Sequence, residues 1–360
     1  MAISIKITKT PQSRVSTFDF EHIEFGKAFS DHMYRVDYTN GQWQQPEILP
    51  YGNICISPAM SAIHYGQAIF EGMKAFKNTK GNPVLFRPLE NHKRLNLSAE
   101  RMGMPTISEE LFMQGLHSLI DLDKQWIPTK EGSALYIRPF MFATDDFVGV
   151  RPSFNYTFII FCCPVNSYYP KPIKVKVEEN YVRAAKGGVG YAKAAGNYGL
   201  SMLPTMLAKQ KGYDQIIWTD ANEHHFVEES GTTNLFFVVD EKTILTPALD
   251  GTILDGITRK TCIEILKDKG YEIIEDKISI AEMAKLADEG RLTDVFGTGT
   301  AAIIAKIESF NYKNKEYILP PVNDRIVSNL LYNTILQIQT GKIEDKFGWV
   351  VPVEPNVAVN

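Results

Sequence analysis

Cysteine is scarce in this chain: there are four in 360 residues, Cys55, Cys162, Cys163 and Cys262. No two stand in a Cys-x-x-Cys spacing, which removes zinc ribbons and thioredoxin-like redox motifs from consideration. The adjacent Cys162 and Cys163 lie in an apolar run and read as small hydrophobes, a usage that suits a reducing compartment. A basic surplus is also lacking. Lys and Arg number 38 against 42 Asp and Glu, a net charge of -4, so no overall positive field attracts nucleic acid or anionic lipid. The longest apolar run, 158–165, is far short of the ~20 residues that span a bilayer. Residues 1–14 lack the apolar core of a secretory leader, so a cytoplasmic location without a membrane anchor is expected. HExxH, G-x-S-x-G and Walker A motifs are all missing, as are internal repeats and low-complexity tracts. The seven histidines form no ligand spacing, since His224 and His225 are adjacent and do not share a face, so no metal site is expected.

The hydrophobic share of 44% and charged share of 22% are those of an ordinary globular protein. At roughly 150 residues per domain, the length suggests two domains. Helical spacing is read over 89–102, with Leu95, Leu97 and Met102 toward a core, and over 109–122. Residues 53–63 read as irregular. Strands are read over 84–87, 134–141 and 156–163. Pro164, Pro170 and Pro172 then interrupt the pattern, which places a connection at 170–182 between a domain over 1–169 and one over 183–360. Beyond it come strands at 173–178, 215–219, 235–239, 243–246 and 295–297. Helices are expected at 201–211 and 258–269, stopped by Gly212 and Gly270, and at 280–287 and 325–340. Mixed elements in both halves argue an α/β or α+β fold.

Five segments draw attention as chemistry. Lys193 lies in 187–199 among five glycines and three alanines. A lone lysine is ordinarily a solvated charge. Here the lack of steric bulk would let backbone approach a large flat cofactor attached to the amine. Lys186, the competing lysine, stands at the edge of the glycines. Glu228-Glu229-Ser230-Gly231-Thr232-Thr233-Asn234 reads either as a solvated turn before a strand or as the carboxylate that keeps a pyridine nitrogen protonated. The run 249–259 leads into a helix at Thr258, whose unpaired N–H groups and dipole suit a phosphate. An ordinary turn and cap is the plainer reading. The run 296–302 matches G-x-G-x-x-A, with Glu316 near the distance expected of a dinucleotide site. Too little chain follows to complete that fold, and a second phosphate loop or anion nest fits better. Arg94, on the first helix, is either solvated or a fixed cation aimed at a phosphate.

In this order, these segments resemble the branched-chain-amino-acid aminotransferases of the class IV pyridoxal-phosphate family. Further matching stretches are 25–33, His64-Tyr65, 70–76 and 135–139, and the resemblance runs almost to the C-terminus, as far as Trp349. It implies a two-domain fold type IV enzyme, with a smaller N-terminal α/β domain, a larger C-terminal one and pyridoxal 5'-phosphate between them. Lys193 would carry the cofactor and move the proton at the substrate Cα. Tyr198 would meet the ring hydroxyl and Glu229 the pyridine nitrogen. Arg94, Ile257, Thr258 and Thr300 would hold the phosphate, with Thr232 also at the cofactor. Thr300 and Ala301 would receive the substrate carboxylate. Phe25, Tyr65, Phe70, Tyr136, Arg138 and Tyr168 would form the side-chain pocket. Val148 and Val150 match a loop supplied by a second subunit, which implies a homodimer. The substrates implied are branched-chain amino acids, 2-oxoglutarate and glutamate. Some relatives carry a redox-sensing Cys-x-x-Cys after the Gly-Thr-Gly-Thr-Ala loop; Ala302 and Ala305 stand there instead, and the chain's own cysteines read as buried, so no thiol switch is expected. The rival readings are a D-amino-acid aminotransferase, an aminodeoxychorismate lyase, a nicotinamide-dependent dehydrogenase built on Gly297–Ala302, and a non-catalytic binding module.

Overall fold

The computed structural model describes residues 3–166, 171–240 and 242–355. They divide into two compact units, one drawn from Met1–Tyr168, Lys193–Ala195 and Leu336–Asn360, the other from Tyr169–Ala192 and Gly196–Ile335. Both mix helices and strands, as the sequence pattern predicts.

The first unit is built on a ten-stranded sheet. Its centre is the antiparallel trio His32–Thr39, Tyr156–Val165 and Ala134–Ala143, followed by Met73–Lys77, Pro83–Phe86 and Val350–Pro352. Side chains along a strand alternate between faces, and the two faces of this sheet have different fates. Leu135, Ile137, Met141, Phe158, Ile160 and Cys162 point to one side. There they join Leu95, Ala99, Phe112, Leu116 and Leu119 from the helices Pro88–Arg101 and Glu109–Leu122 in one core. Burying these side chains contributes roughly 1.5–3 kcal/mol for each large one. Ser108 caps the second helix by accepting from the Leu111 N–H at 3.2 Å. The opposite face carries Tyr136, Arg138, Phe140, Cys163 and Val165, and no helix of this core covers it. Leu97, expected toward the core, is 41% exposed on the outer side of its helix. The stretch 53–63, read as irregular, ends in the short helix Ser61–Tyr65.

In the second unit a nine-stranded sheet closes on itself. Val227–Ser230 pairs both with Gln215–Thr219 and with Thr233–Val239, so six strands form a ring through Ile173–Val177, Ile303–Tyr312 and Leu292–Gly299. Leu235, Phe237, Val295, Ile307 and Phe310 are buried in its core, with Met283 and Leu286 of the helix Ile280–Asp288. Gly212 and Gly270 stop their helices with φ of +87° and +80°, conformations that cost a side-chain-bearing residue but not glycine. Two strands run beyond the sequence reading. Val227–Ser230, read in part as a solvated turn, is a fully buried strand. The strand read at 295–297 extends over Leu292–Gly299 and is followed by the ten-residue strand Ile303–Tyr312. The strand Ile173–Val177 belongs to this sheet, while Leu336–Asn360 goes with the first unit, where Val350–Pro352 pairs with Pro83–Phe86.

Candidate active site

In the first unit, Lys193 is gripped by its backbone. Its N–H donates to Ser98 Oγ at 2.9 Å, its carbonyl accepts from the Phe70 N–H at 3.1 Å, and Ala195 N–H donates to the Ala68 carbonyl at 3.0 Å. Ser98 in turn donates to the Arg94 carbonyl at 2.9 Å, tying the lysine to the helix Pro88–Arg101. The Lys193 ammonium lies 4.7 Å from the centre of the Phe70 ring, a cation–π contact. Arg138 covers the same ring at 4.6 Å and donates to Tyr136 Oη at 3.0 Å. Phe25 packs edge-on against Tyr136 with centroids 5.4 Å apart. Four pocket residues expected from the sequence, Phe25, Phe70, Tyr136 and Arg138, are thus brought together beside the lysine. Alternation explains the arrangement. Tyr136 and Arg138 are two residues apart on one strand, on the face away from the helices, and Phe70 is registered opposite Phe140 on that same face. A Cβ on Gly72 would lie 2.2 Å from Tyr136 Oη, so any other residue here would have to displace that phenol.

Arg94 is buried and makes a two-pronged ion pair with Glu71, Nε to Oε1 at 2.7 Å and Nη2 to Oε2 at 2.8 Å. Asn91 donates to the same carboxylate at 2.8 Å. Although burial raises it, the charges of Arg94 and Lys193 hold the Glu71 carboxyl below the usual range. Glu71 and Asn91 were missed in the sequence reading, although Glu71 sits in the quoted run 70–76. Nothing in a linear pattern says that two opposite charges 23 residues apart will meet. Tyr65 ends the helix Ser61–Tyr65 and stands beside His64. Val148 and Val150 are 65% and 90% exposed on a loop whose base is fixed by Asp145, which accepts from Arg151, Phe154 and Asn155. Those donors depress Asp145 to about 2 against the opposing effect of burial. Tyr168 lies outside the described residues.

In the second unit, Glu229 is buried and both its oxygens are engaged. Oε1 accepts from the Leu254 N–H at 2.7 Å, and Oε2 faces Arg183 Nε at 3.2 Å. Arg183, also missed in the sequence, further donates to the carbonyls of Thr252 at 2.7 Å and Gly190 at 3.1 Å. This explains one of the glycines near the lysine without any ligand: a Cβ on Gly190 would sit 2.4 Å from the Thr252 oxygen. Asn234, opposite Glu229, donates to the Leu254 carbonyl at 2.9 Å. The helix Ile257–Asp268 starts at Gly256, which contributes no side-chain cap, so the first N–H groups at Ile257 and Thr258 present the positive end of the helix. Tyr198 and Thr232 line a common cavity of about 700 Å³ together with Gln215 and Met202.

The run Gly297–Ala302 is not a dinucleotide turn. Gly297, Thr298 and Gly299 lie in a strand that pairs antiparallel with Ile303–Tyr312, so Thr300 and Ala301 form the tip of a hairpin with no helix behind it. The dehydrogenase reading fails on this geometry, because its phosphate site requires a helix N-terminus there. Ile303, a β-branched residue, takes φ of +60°, a strained backbone at this tip. The hydroxyl of Thr298 is buried with no hydrogen-bond partner among the described residues. Of the cysteines, Cys162, Cys163 and Cys262 are buried, but Cys55 is exposed, which corrects the expectation that all are hidden.

A family model described as amino-transferase class IV matches residues 68–310. A probable branched-chain-amino-acid aminotransferase of Staphylococcus epidermidis is 46% identical over 340 residues, covering 93% of this chain and 94% of the relative. Branched-chain-amino-acid transaminase 1 of Bacillus subtilis is 45% identical, covering 93% and 95%. Among solved structures, a T.th. branched-chain amino acid aminotransferase complexed with N-(5'-phosphopyridoxyl)-L-glutamate superposes with a TM-score of 0.71 at 25% identity, covering 89% and 98%.

Proposed function

Because the chain belongs to the class IV aminotransferases, and within them to the branched-chain-amino-acid aminotransferases of fold type IV, we propose that it transfers the amino group of L-leucine, L-isoleucine and L-valine to 2-oxoglutarate. The products are the branched-chain 2-oxo acids and L-glutamate, in two half-reactions of a ping-pong cycle. The observation that supports this reading best is the cluster beside Lys193: the aromatic walls Phe25, Phe70 and Tyr136 suit an aliphatic side chain, and one guanidinium, Arg138, suits a carboxylate. A pocket with both is what two such different substrates require.

Class IV aminotransferases depend on pyridoxal phosphate, and the solved relative described above is a complex with a phosphopyridoxyl derivative. The residues present fit that group. An uncapped helix N-terminus is available at Ile257 and Thr258, a buried carboxylate is held at Glu229, and the buried Thr298 hydroxyl has no partner among the described residues. The cofactor, when bound, supplies an electron sink that acidifies the substrate Cα–H. Lys193 Nζ holds the cofactor and moves the proton at Cα. Glu229, oriented by Arg183 and the Leu254 N–H, takes the pyridine nitrogen, and Tyr198 the ring hydroxyl. Arg94, Ile257, Thr258 and Thr300 hold the phosphate, with Thr232 beside the cofactor. Thr300 and Ala301 receive the substrate carboxylate. Tyr65 and Tyr168 complete the side-chain pocket. The exposed Val148 and Val150 support a homodimer in which this loop serves the partner subunit. A cytoplasmic location is part of this proposal. Among the described residues no helix is long and apolar enough to cross a membrane.

Purified protein tests the reading. It should show a visible absorbance that is lost on borohydride reduction, and it should form glutamate from leucine and 2-oxoglutarate. The reduced pyridoxyl peptide should map to Lys193. A peptide mapping to Lys186, which is exposed, overturns the lysine assignment.

A further inference from the structure

Residues 144–155 connect the central strands Ala134–Ala143 and Tyr156–Val165 and carry the two exposed valines, Val148 and Val150. Loops of this length are ordinarily mobile. This one is fastened on both limbs. On the outgoing limb, Asp146 Oδ1 accepts from Ser57 Oγ at 2.7 Å, and the Phe147 N–H donates to the Ala59 carbonyl at 3.1 Å. On the returning limb, the Ser153 N–H donates to Gln67 Oε1 at 3.1 Å. The N–H groups of Phe154 and Asn155 each donate to Asp145 at 3.0 Å.

Arg151 joins the two limbs. Its Nη1 donates to Asp145 Oδ2 at 2.8 Å and to the Pro152 carbonyl at 2.9 Å. Its guanidinium carbon lies 4.3 Å from the centre of the Phe147 ring and 4.3 Å from that of Phe154. One ring precedes the tip of the loop and the other follows it. A planar guanidinium can cover aromatic faces while it meets a carboxylate, which a lysine ammonium does less well. The tip is folded against the first ring: a Cβ on Gly149 would lie 2.3 Å from Phe147. Val148 and Val150 flank that glycine, so the clasp holds two apolar side chains out in water. Ordering a loop costs conformational entropy, and apolar groups left in water return no burial for it. A tip ordered in advance is instead suited to docking, where the ordering cost has already been met.

We propose that Arg151 is a positioning residue, the clasp that presents Val148 and Val150 to the substrate side-chain pocket of the partner subunit and so favours long aliphatic substrates over short ones. The inference rests on the homodimer reading above and adds to it the residue that shapes the loop. Arg151 acts through the valines. They supply apolar contact to the outer carbons of a side chain such as that of leucine. A substrate two carbons shorter, 2-aminobutyrate, does not extend to them. Opening the clasp therefore costs leucine more than 2-aminobutyrate, and lost contact with one methylene is worth about tenfold or more in kcat/KM.

The test is the ratio of kcat/KM for leucine to that for 2-aminobutyrate, measured on the pyridoxal-phosphate holoenzyme. Arg151→Ala should lower this ratio by about tenfold. Arg151→Lys, which keeps the charge beside Asp145 but not the planar contact with both rings, should lower it too. Gly149→Ala, which pushes Phe147 aside and leaves Arg151 in place, should act in the same direction and decides the matter if Arg151→Ala does not fold. Hybrid dimers locate the effect, with Lys193→Ala silencing one chain. When Arg151→Ala is placed in the silenced chain, the working pocket meets a loosened loop and the ratio should fall. When it is placed in the working chain, that pocket receives an intact loop and the ratio should be normal. The opposite pattern means that Arg151 serves its own chain's pocket, and overturns the proposal. So does an unchanged ratio in dimers of every variant, which leaves the homodimer reading standing. A holoenzyme that sediments as an active monomer overturns that reading as well.

Discussion

Replacing Glu228 with glutamine should stabilise this protein in alkaline solution and do little in mild acid. Glu228 lies in the strand Val227–Ser230 and is 5% exposed, and its Oε2 has no hydrogen-bond partner among the described residues. Burial pushes its carboxyl from the ordinary 4.5 up to about 7, with the Thr252 hydroxyl and the Arg183 charge pulling the other way. Adjacent strand residues face opposite sides, so Glu228 does not share the engagement of Glu229 with Arg183 and Leu254. The sign follows from proton binding. Between about 4.5 and 7 the folded chain keeps a proton that the unfolded chain has released. Stability therefore falls as pH rises through that window, and the loss is complete above it. At 1.36 kcal/mol for each tenfold change in proton affinity, the whole effect is about 3 kcal/mol.

Glutamine keeps the shape of the protonated acid and does not titrate. Thermal unfolding of the two proteins at about pH 5 and about pH 8.5 reads the difference. The variant's advantage should grow with pH by up to about 3 kcal/mol, or roughly 6–12 °C in midpoint for a unit of this size. Turnover near neutrality should be little changed, whereas Glu229→Gln should lose most of it. A midpoint difference that does not depend on pH would show that Glu228 is ionised in the folded protein throughout, and would refute the reasoning.

Arg138→Met is expected to lower kcat/KM for 2-oxoglutarate and glutamate by one to two orders of magnitude relative to leucine, the worth of a charge-assisted hydrogen bond of about 1.5–3 kcal/mol. Single-turnover rates that fall equally in both half-reactions would mean that Arg138 only braces its strand. Lys193→Ala should lose turnover almost completely and bind cofactor weakly, measured by absorbance and dialysis; retained turnover contradicts its role. Mild peroxide should modify Cys55 and leave activity intact, because burial pushes the Cys163 thiol up to about 11 and raises Cys162 and Cys262 as well. Inactivation reversed by a thiol reductant contradicts this. Glu71→Gln should destabilise the first unit by about 3–5 kcal/mol in urea unfolding, since it strands the buried Arg94. A loss under about 0.5 kcal/mol would show the pair to be dispensable.

Helices were the most legible elements in the sequence. The stretch Glu109–Leu122 is found where its periodicity puts it, and Gly212 and Gly270 stop their helices as expected. Strands were legible where both faces are buried or where charges alternate, as in Tyr156–Val165 and Ile173–Val177. Strands such as His32–Thr39 and Ile303–Tyr312 were not, because charged and polar residues interrupt them: Arg35 pairs with Asp37 on the first, and Ser309 of the second donates to Glu316 on the adjacent strand Lys315–Ile318. Once each sheet forms, side-chain pairing satisfies groups that on paper argue for a loop. The dinucleotide-like run 297–302 shows the converse. Glycine spacing fits a phosphate turn and a tight hairpin equally well, and only the partner strand distinguishes them.

Among charged residues the sequence was least informative, and this has a physical origin. Whether Lys74, Arg94, Glu228 or Arg183 is solvated depends on pairings made across the sheets, not on neighbours in the chain. Lys74 is buried because its strand lies beside Tyr136, and Arg94 because its helix brings it to Glu71. These side chains meet the cost of burial in two ways. Arg94 and Arg183 cannot discharge, so each is matched to a carboxylate, Glu71 or Glu229, from another strand or loop of its own unit. Lys74 and Glu228 can discharge, and burial drives both toward neutrality, Lys74 from above and Glu228 from below. The two kinds of group are therefore suited to different tasks. Fixed pairs hold Arg94 and Glu229 each in one geometry. A group that burial drives toward neutrality, as it does Glu228, instead makes the stability of its unit depend on pH.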